Sequence, residues 1–179
     1  MRWYLREGSA YLVYTRGALH SLRYNLTVHN QHQCHLDELD MVAQGYLKRW
    51  LGLPSRGATS AGIFSPLVLA VKPVSQVFME GHLGAYVNSY LVADSDTREA
   101  LRCAEERKVA WTKKSSTLIQ CRNIFQEMQE EDECFIPTPE NTNTFTQTIR
   151  VKKPKILKVA KQKVTEIFQK KPTSIRRKE

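Results

Sequence analysis

The sequence has no hydrophobic run that is long enough to cross a membrane. Its longest uncharged apolar stretch, residues 66–71, is far shorter than the ~20 residues that a transmembrane helix requires. Charged side chains also stand close to Met1, where a secretion signal requires an apolar core. The sequence therefore predicts a nuclear or cytoplasmic protein without a membrane partner, and its 179 residues suffice for one domain or for a domain with a tail.

Closely spaced cysteine pairs and the usual catalytic motifs are also absent. The four cysteines are Cys34, Cys103, Cys121 and Cys134. We expect free thiols, because disulfides rarely persist in the nucleus or the cytoplasm. The chain has no glycine-rich phosphate loop, no Gly-x-Ser-x-Gly motif and no Asp-Asp pair, so the sequence predicts no enzyme activity.

Two clusters of potential metal ligands have simpler explanations. The first consists of His29, His32, Cys34 and His35. A structural zinc site needs four ligands, usually as two separated pairs, and no second pair follows, so we favour a polar loop before a helix. Asp94 and Asp96 form the second cluster, but they lie between two helical patterns, where capping of a helix explains them. We predict no metal and no other cofactor.

Positive charge is concentrated at one end of the chain. The protein has 27 Lys and Arg residues against 18 Asp and Glu residues, a formal net charge of +9. Residues 150–179 hold 12 of the basic residues and two acidic ones, a net charge of +10, so the rest of the chain is nearly neutral. Such a block attracts polyanions and is also typical of a nuclear-import patch. Nucleic-acid binding, nuclear import and a solvated tail without a specific role therefore stay open.

Apolar residues recur at helical spacing along most of the chain and predict an all-α protein. The predicted helices cover residues 3–23, 35–51, 76–92, 97–111, 117–131 and 155–170. The clearest apolar stripe, over 35–51, consists of Leu36, Leu39, Val42 or Ala43, Tyr46 or Leu47, and Trp50. Gly52 and Pro54 are expected to end this helix. Strand patterns are scarce, and the best of them is Ile63–Val71.

Local residues predict the faces and caps of the other helices. On the first helix, Tyr4, Tyr11, Tyr14, Ala18 and Leu22 lie along one side. Ser75 is the predicted cap of the helix over 76–92, and Asp94 with Asp96 caps the helix that follows. We expect a helical body over residues 1–133, a linker rich in Thr, Asn and Pro over 134–149, and a basic amphipathic helix with a tail over 150–179.

The end of the second helix resembles a known family. Residues 46–54, Tyr-Leu-Lys-Arg-Trp-Leu-Gly-Leu-Pro, are similar to the segment after the palm in reverse transcriptases of non-long-terminal-repeat retrotransposons. In that family a helix commonly ends in Arg/Lys-Trp-Leu-Gly-Leu-Pro, and a bend rich in Ser, Thr and Gly follows. Residues 22–27, 36–40 and 111–116 resemble neighbouring segments in the same order, so the resemblance covers about residues 3–130.

The resemblance implies a helical bundle like the thumb of a reverse transcriptase, which lies against the template–primer duplex. The catalytic aspartates of the family belong to the palm, in an aromatic-Ala-Asp-Asp motif, and this chain has no such pair. Two-metal phosphoryl transfer requires carboxylates that hold both ions. The expectation is a non-catalytic fragment or remnant of an RNA-directed DNA polymerase. It would bind RNA or DNA duplexes without strong sequence preference, with the missing palm as a further partner.

The candidate nucleic-acid-binding residues have two origins. The resemblance implies Lys48, Arg49 and Arg56. Charge alone indicates Lys152, Lys153, Lys155, Lys158, Lys161 and Lys163. Two other interpretations stay open: a helical protein-interaction module with a basic nuclear-import tail, and a non-functional open reading frame that folds only partly. The interaction module would use an apolar face left exposed by the loss of the palm.

Overall fold

Helices are the only regular secondary structure in the part of the chain that the structure, a computed structural model, describes. The described residues are 6–54, 63–64, 71–92, 94–111, 116–131 and 142–170. They contain no strand, which confirms the prediction of an all-α protein for these ranges. The strand candidate Ile63–Val71 lies mostly outside them. Within these ranges, no helix combines the length and the apolar character that a membrane span requires.

The chain divides into two compact units. The first comprises Met1–Phe78 and Gln169–Glu179, and the second comprises Met79–Phe168. In chain order the elements are α1 (Glu7–Leu12), a π-helical turn (Val13–Ala18), α2 (Leu19–Val28), α3 (Gln33–Trp50), α4 (Val74–Tyr90), α5 (Ser95–Trp111), α6 (Thr117–Glu131) and α7 (Thr142–Lys170). α4 begins in the first unit and continues into the second. The predicted division into a body, a linker over 134–149 and a basic helix follows composition and stays a prediction.

The π-helical turn determines which side of the first helix is buried. α1, the turn and α2 follow one another without a break and form one continuous rod, residues 7–28 (the first rod). A π turn contains one residue more than an α-helical turn, so Leu19 rather than Ala18 follows Tyr14 into the core. Of the residues predicted to share one side of this helix, Tyr14 is buried and Leu22 packs against the core, whereas Tyr11 and Ala18 are exposed. The predicted Tyr4 lies outside the described residues.

α3 buries one side of its apolar stripe against a core of the first unit. The residues of α3 that contact this core are Leu36, Leu39, Ala43, Leu47 and Trp50. Spacing alone left two pairs of adjacent residues as alternatives, and the structure selects Ala43 over Val42 and Leu47 over Tyr46. Val42 and Tyr46 are 54% and 51% exposed, so they form part of the outer surface of α3.

α3 ends in a Schellman motif, in which two residues beyond the helix donate hydrogen bonds back to its last carbonyl groups. The N–H of Leu53 donates to the carbonyl oxygen of Lys48 at 2.9 Å, and the N–H of Gly52 donates to that of Arg49 at 3.3 Å. Gly52 has a φ of 67°, which residues with a Cβ atom rarely adopt. The predicted end of the helix at Gly52 is therefore confirmed.

Two glycines at this helix should respond to alanine in opposite directions. We expect Gly52→Ala to lower the free energy of unfolding by about 1–2 kcal/mol, because alanine is strained at positive φ. We expect Gly45→Ala to raise it by about 0.5–1 kcal/mol, because Gly45 lies inside the helix and a Cβ atom there meets nothing within 4 Å. Urea denaturation of the two variants and the parent measures both effects. Equal signs would contradict the described end of α3.

The first turn of α4 is capped by a side chain from α3. The Oδ1 atom of Asp40 accepts a hydrogen bond from the N–H of Ser75 at 3.2 Å, and its Oδ2 atom accepts one from the Ser75 hydroxyl. Ser75 was predicted to cap this helix itself, but α4 begins at Val74, two residues before the predicted start, and Ser75 is buried in its first turn. The first N–H groups of a helix have no partner within it, so Asp40 supplies the acceptor that Ser75 does not.

The core of the first unit (the first core) joins the first rod, α3 and the start of α4. Its buried residues are Tyr14, Leu19, Leu26, Leu36, Leu47, Ile63, Val71, Val74 and Phe78. The hydroxyl of Tyr14 donates a hydrogen bond to the carbonyl oxygen of Lys72 at 3.0 Å, which links the first rod to the chain before α4. Burial, together with the nearby charge of Asp40, raises the pKa of Tyr14, so its hydroxyl stays a neutral donor.

The core of the second unit (the second core) is formed by α4, α6 and α7. Its buried residues are Leu83, Tyr86, Val87, Leu91, Cys121, Ile124, Phe125, Met128, Ile156, Ala160 and Val164. The Tyr86 hydroxyl donates to Oε1 of Glu105 on α5 at 2.7 Å. At the start of α5, a carboxylate oxygen of Asp94 accepts from the N–H of Thr97 at 3.0 Å, which confirms Asp94 as the cap.

α7 begins earlier than the sequence suggested. It starts at Thr142, inside the segment predicted as a linker, while residues 134–141 lie outside the described part of the chain. Thr and Asn lower helix stability by less than about 1 kcal/mol each relative to Ala. A helix that has already formed can therefore extend through them, because propagation costs far less than nucleation. The Thr, Asn and Pro content of residues 134–149 therefore predicted a linker in a segment that is helical from Thr142 onward.

Candidate nucleic-acid interface

α7 has an apolar side and a basic side. Ile156, Ala160 and Val164 recur every four residues and are buried in the second core. Lys155, Lys158 and Lys161 recur every three residues and are all exposed. Residues three or four apart share a face of a helix, so the three lysines form one surface (the lysine face) on the side away from the core.

The other three lysines of the predicted set contribute less to this surface. Lys152, Lys153 and Lys163 are half-buried rather than exposed. Lys152 and Lys163 also have interaction partners of their own within the protein. The structure therefore places three of the six predicted lysines of α7 together on an open surface.

The dimensions of the lysine face suit a polyphosphate chain. With a rise of ~1.5 Å per residue, Lys155 and Lys161 lie about 9 Å apart along the axis of α7. One strand of a duplex carries a phosphate about every 3.4 Å along its axis, so the face spans about three phosphates. The nearest exposed acidic residue of α7 is Glu166, which lies beyond Lys161 toward the end of the helix.

The predicted residues at the end of α3 lie in the first unit. Arg49 is exposed, and its guanidinium carbon lies 5.7 Å from the ring centroid of Tyr46, a cation–π distance. The Tyr46 and Trp50 rings are themselves 5.9 Å apart. Lys48 is half-buried and has a partner within the protein. Arg56 lies outside the described residues, so Arg49 is the one described cation of this set on an open surface.

A second basic surface was missed by the sequence analysis. It consists of Arg16, His20, Arg23, Tyr24 and Thr27 on the first rod, all of them exposed. The sequence did contain a pointer to it, because residues 8–36 include no Asp or Glu at all. The net charge of residues 8–36 is only +2, however, against +10 for residues 150–179.

The histidine–cysteine cluster lies at the start of α3, where one of its side chains caps the helix. The ring nitrogen Nδ1 of His32 accepts a hydrogen bond from the N–H of Cys34 at 3.5 Å and lies 3.1 Å from the Cys34 sulfur. His32 precedes the first helical residue, Gln33, and is its cap. Among the described residues, no group of three or more His, Cys, Asp or Glu side chains is arranged to hold a metal ion.

Comparison of the chain with protein-family models, with curated proteins and with solved structures gives no match.

Proposed function

We propose that this chain binds nucleic-acid duplexes without strong sequence preference and that it is a non-catalytic relative of the reverse-transcriptase thumb. The observation that carries the binding proposal is the two-sided character of α7. Its apolar side is buried in the second core, which fixes the helix, and its lysine face is thereby held toward solvent. A fixed row of cations loses less conformational freedom on binding than a disordered tail would.

Binding through the lysine face is electrostatic. Each phosphate that a lysine neutralises releases condensed counterions, which gives a logarithmic salt dependence with a slope of about −0.9 per phosphate on duplex DNA. Lysine contacts to phosphates position a protein on the duplex but carry no information about base sequence. The lysine face therefore accounts for affinity and not for sequence recognition.

The link to reverse transcriptases depends on residues 46–54. In the structure this segment ends a helix in the order that the family shows, with Gly52 in the left-handed conformation and Pro54 after it. The exposed Arg49 stands beside the Tyr46 ring at this helix end, and it is one of the residues that the resemblance implies for duplex binding. The same segment also has a purely structural use, since the Schellman motif by itself favours a glycine at this position.

Neutralising the lysine face is expected to weaken duplex binding and to reduce its salt dependence. In the variant Lys155→Gln/Lys158→Gln/Lys161→Gln, the logarithmic salt slope should fall by about 0.9 for each phosphate that a lysine no longer neutralises. Fluorescence anisotropy with two unrelated duplexes at three salt concentrations measures the slope. The three side chains are exposed, so the fold should be unaffected.

The matched control replaces the same three lysines by arginine, which keeps the charge and should keep the slope. The proposal fails if the glutamine variant and the parent bind duplexes with the same salt dependence. It also fails if the parent binds no duplex at low salt.

A protein-interaction module is the second candidate, because the outer surface of α3 is unusually apolar. Met41, Val42 and Tyr46 are each about half exposed and lie within two helical turns of one another. Unchanged salt dependence in the glutamine variant, together with loss of self-association or of partner binding in Val42→Lys, would favour this candidate. Sedimentation of the parent and of Val42→Lys provides the measurement.

A further inference from the structure

The exposed side of the first rod combines cations with an aromatic ring. Arg16, His20, Arg23, Tyr24 and Thr27 (the arginine–tyrosine face) are all exposed. Within α2, Arg23, Tyr24 and Thr27 follow His20 by three, four and seven residues, which is the spacing of a single helix face. Arg16 lies in the π-helical turn, four residues before His20. With a rise of ~1.5 Å per residue the face is about 16 Å long. The opposite side of the rod, with Tyr14, Leu19 and Leu26, is buried in the first core.

This face attracts anions because no acidic residue belongs to the segment around it. Residues 8–36 contain Arg16 and Arg23 but no Asp or Glu. By contrast, the exposed Arg102 of α5 is paired with Glu99, with 2.7 Å between the nitrogen and the carboxylate oxygen. No ion pair of Arg16 or Arg23 occurs within the described ranges. Their charge is therefore available to a partner that carries negative charge.

Tyr24 gives the face a feature that electrostatics alone does not require. Its side chain is 73% exposed, the largest exposure among the large hydrophobic residues of the described part. A tyrosine ring left in water loses the apolar burial that usually stabilises it. His20 lies one helical turn before Tyr24 and Arg23 is its neighbour in the sequence, so the exposed ring belongs to a surface that also carries a cation.

We propose that the arginine–tyrosine face binds single-stranded nucleic acid, with Tyr24 stacking on a base and with Arg16 and Arg23 contacting flanking phosphates. Proteins that bind single strands without sequence preference combine a basic surface with exposed aromatic rings, because every base has a π face. Paired bases inside a duplex are already stacked, so Tyr24 favours a single strand over a duplex. An acidic protein segment would use the two arginines but would gain little from an exposed tyrosine.

This site is separate from the lysine face, which belongs to the second unit and contacts phosphates alone. The two sites make different predictions about ligand form: the lysine face holds a duplex by charge, whereas the arginine–tyrosine face holds a single strand by charge and stacking. A chain with both surfaces would bind nucleic acids that contain paired and unpaired segments.

The experiment compares Tyr24→Leu, Tyr24→Phe and the parent in fluorescence anisotropy with a labelled oligo(dT) and with a labelled duplex of equal length. We expect Tyr24→Leu to weaken binding of oligo(dT) about fivefold or more, the loss associated with one base–aromatic stack. Tyr24→Phe keeps the ring and should bind as the parent does. Duplex binding should be the same for all three proteins.

A second pair of variants tests the arginines. Arg16→Gln/Arg23→Gln should reduce the salt slope for oligo(dT) by about 1.4, since each phosphate contact to a single strand contributes about 0.7. The matched control Arg102→Gln/Arg107→Gln makes the same change of net charge on α5, where both residues are also exposed, and should leave the slope unchanged. All the substituted side chains are exposed, so a loss of binding would not reflect a loss of fold.

The proposal is overturned if Tyr24→Leu binds oligo(dT) as tightly as the parent does. It is equally overturned if Tyr24→Leu weakens duplex binding by the same factor, or if polyphosphate, which has no bases, competes with oligo(dT) as strongly in the parent as in Tyr24→Leu. A failure of the lysine face to bind duplexes would leave the expected oligo(dT) results unchanged, so the two proposals can fail independently.

Discussion

Deleting residues 150–179 is expected to unfold the second unit. The charge distribution of the sequence alone favoured the opposite outcome, a folded body without its basic tail. In the structure, however, Ile156 and Val164 are fully buried and Ala160 is nearly so. They pack with Leu83, Phe125 and the other residues of the second core. The deletion therefore removes the side chains that α7 contributes to the second core, together with the positive charge.

The expected loss is comparable to the stability of a whole domain. Full burial of one Ile or Val side chain contributes about 1.5–3 kcal/mol, and the residues that these side chains cover would also become exposed. Folded domains are stable by only about 5–15 kcal/mol. We expect the deletion variant to lose the helical signal of the second unit in circular dichroism and to show no cooperative urea transition for it.

The control deletes residues 171–179 alone. This shorter deletion removes four basic residues, Lys171, Arg176, Arg177 and Lys178, and leaves α7, Thr142–Lys170, complete. It should retain the unfolding transition of the second unit, Met79–Phe168. If the longer deletion variant unfolded in a cooperative transition as large as that of the parent, α7 would be dispensable for folding. Residues 150–179 would then behave as a separate tail. For the same reason, the role of the lysine face is better tested by substitution than by truncation.

Sequence patterns predicted those helix features that depend on a few neighbouring residues. The end of α3 follows from Gly52, because a glycine at that position and the hydrogen bonds around it are local. The cap of α5 follows from Asp94, whose carboxylate reaches a backbone N–H three residues on. Propensity and capping rules describe such short-range interactions well.

The features that the sequence analysis missed depend on interactions between distant residues. The cap of α4 comes from Asp40, 35 residues before Ser75, and no local rule connects the two. Which side of the first rod is buried depends on the π turn at Val13–Ala18, which shifts the helical register by one residue. A uniform period of 3.6 residues puts Ala18 on the same side as Tyr14, whereas in the structure Leu19 is buried with Tyr14.

The candidate interface likewise combines residues that the sequence predicted with residues that only the packed structure reveals. Counting charges found the lysines of α7, but exposure separates Lys155, Lys158 and Lys161 from the half-buried Lys152, Lys153 and Lys163 only once the helix is packed. The arginine–tyrosine face carries too little charge to stand out in composition. It becomes recognisable when the buried residues Tyr14, Leu19 and Leu26 show which side of the rod is free.

Asp40→Ala is expected to destabilise the first unit by about 3 kcal/mol, the sum of a lost helix cap and of buried hydrogen-bonding groups left without partners. The substitution removes the acceptor of both the N–H and the hydroxyl of Ser75, which is only 6% exposed. Water therefore cannot readily replace the carboxylate. The control is Asp40→Asn, whose side-chain oxygen can still accept the N–H and whose amide can donate to the hydroxyl. We expect it to recover most of the loss in urea denaturation at pH 7.

The two variants also test the ionisation of Asp40. Burial raises the pKa of this carboxyl group, although the hydrogen bonds from Ser75 and Val74 oppose the effect. A pKa that is higher in the folded protein than in the unfolded chain means that the protonated form favours folding. This contribution is complete below the unfolded pKa of about 3.9 and is lost as the pH rises through the folded value.

The free energy of unfolding of the parent, measured relative to Asp40→Asn, should therefore be greatest near pH 3.5 and should fall as the pH is raised toward neutrality. Because asparagine does not titrate, the difference isolates this one carboxyl group from the other acidic residues of the chain. Urea denaturation of both proteins at intervals between pH 3.5 and 7 gives the curve. A difference that grows with pH would mean that the hydrogen bonds at the start of α4 outweigh burial, and that the pKa of Asp40 is lowered rather than raised.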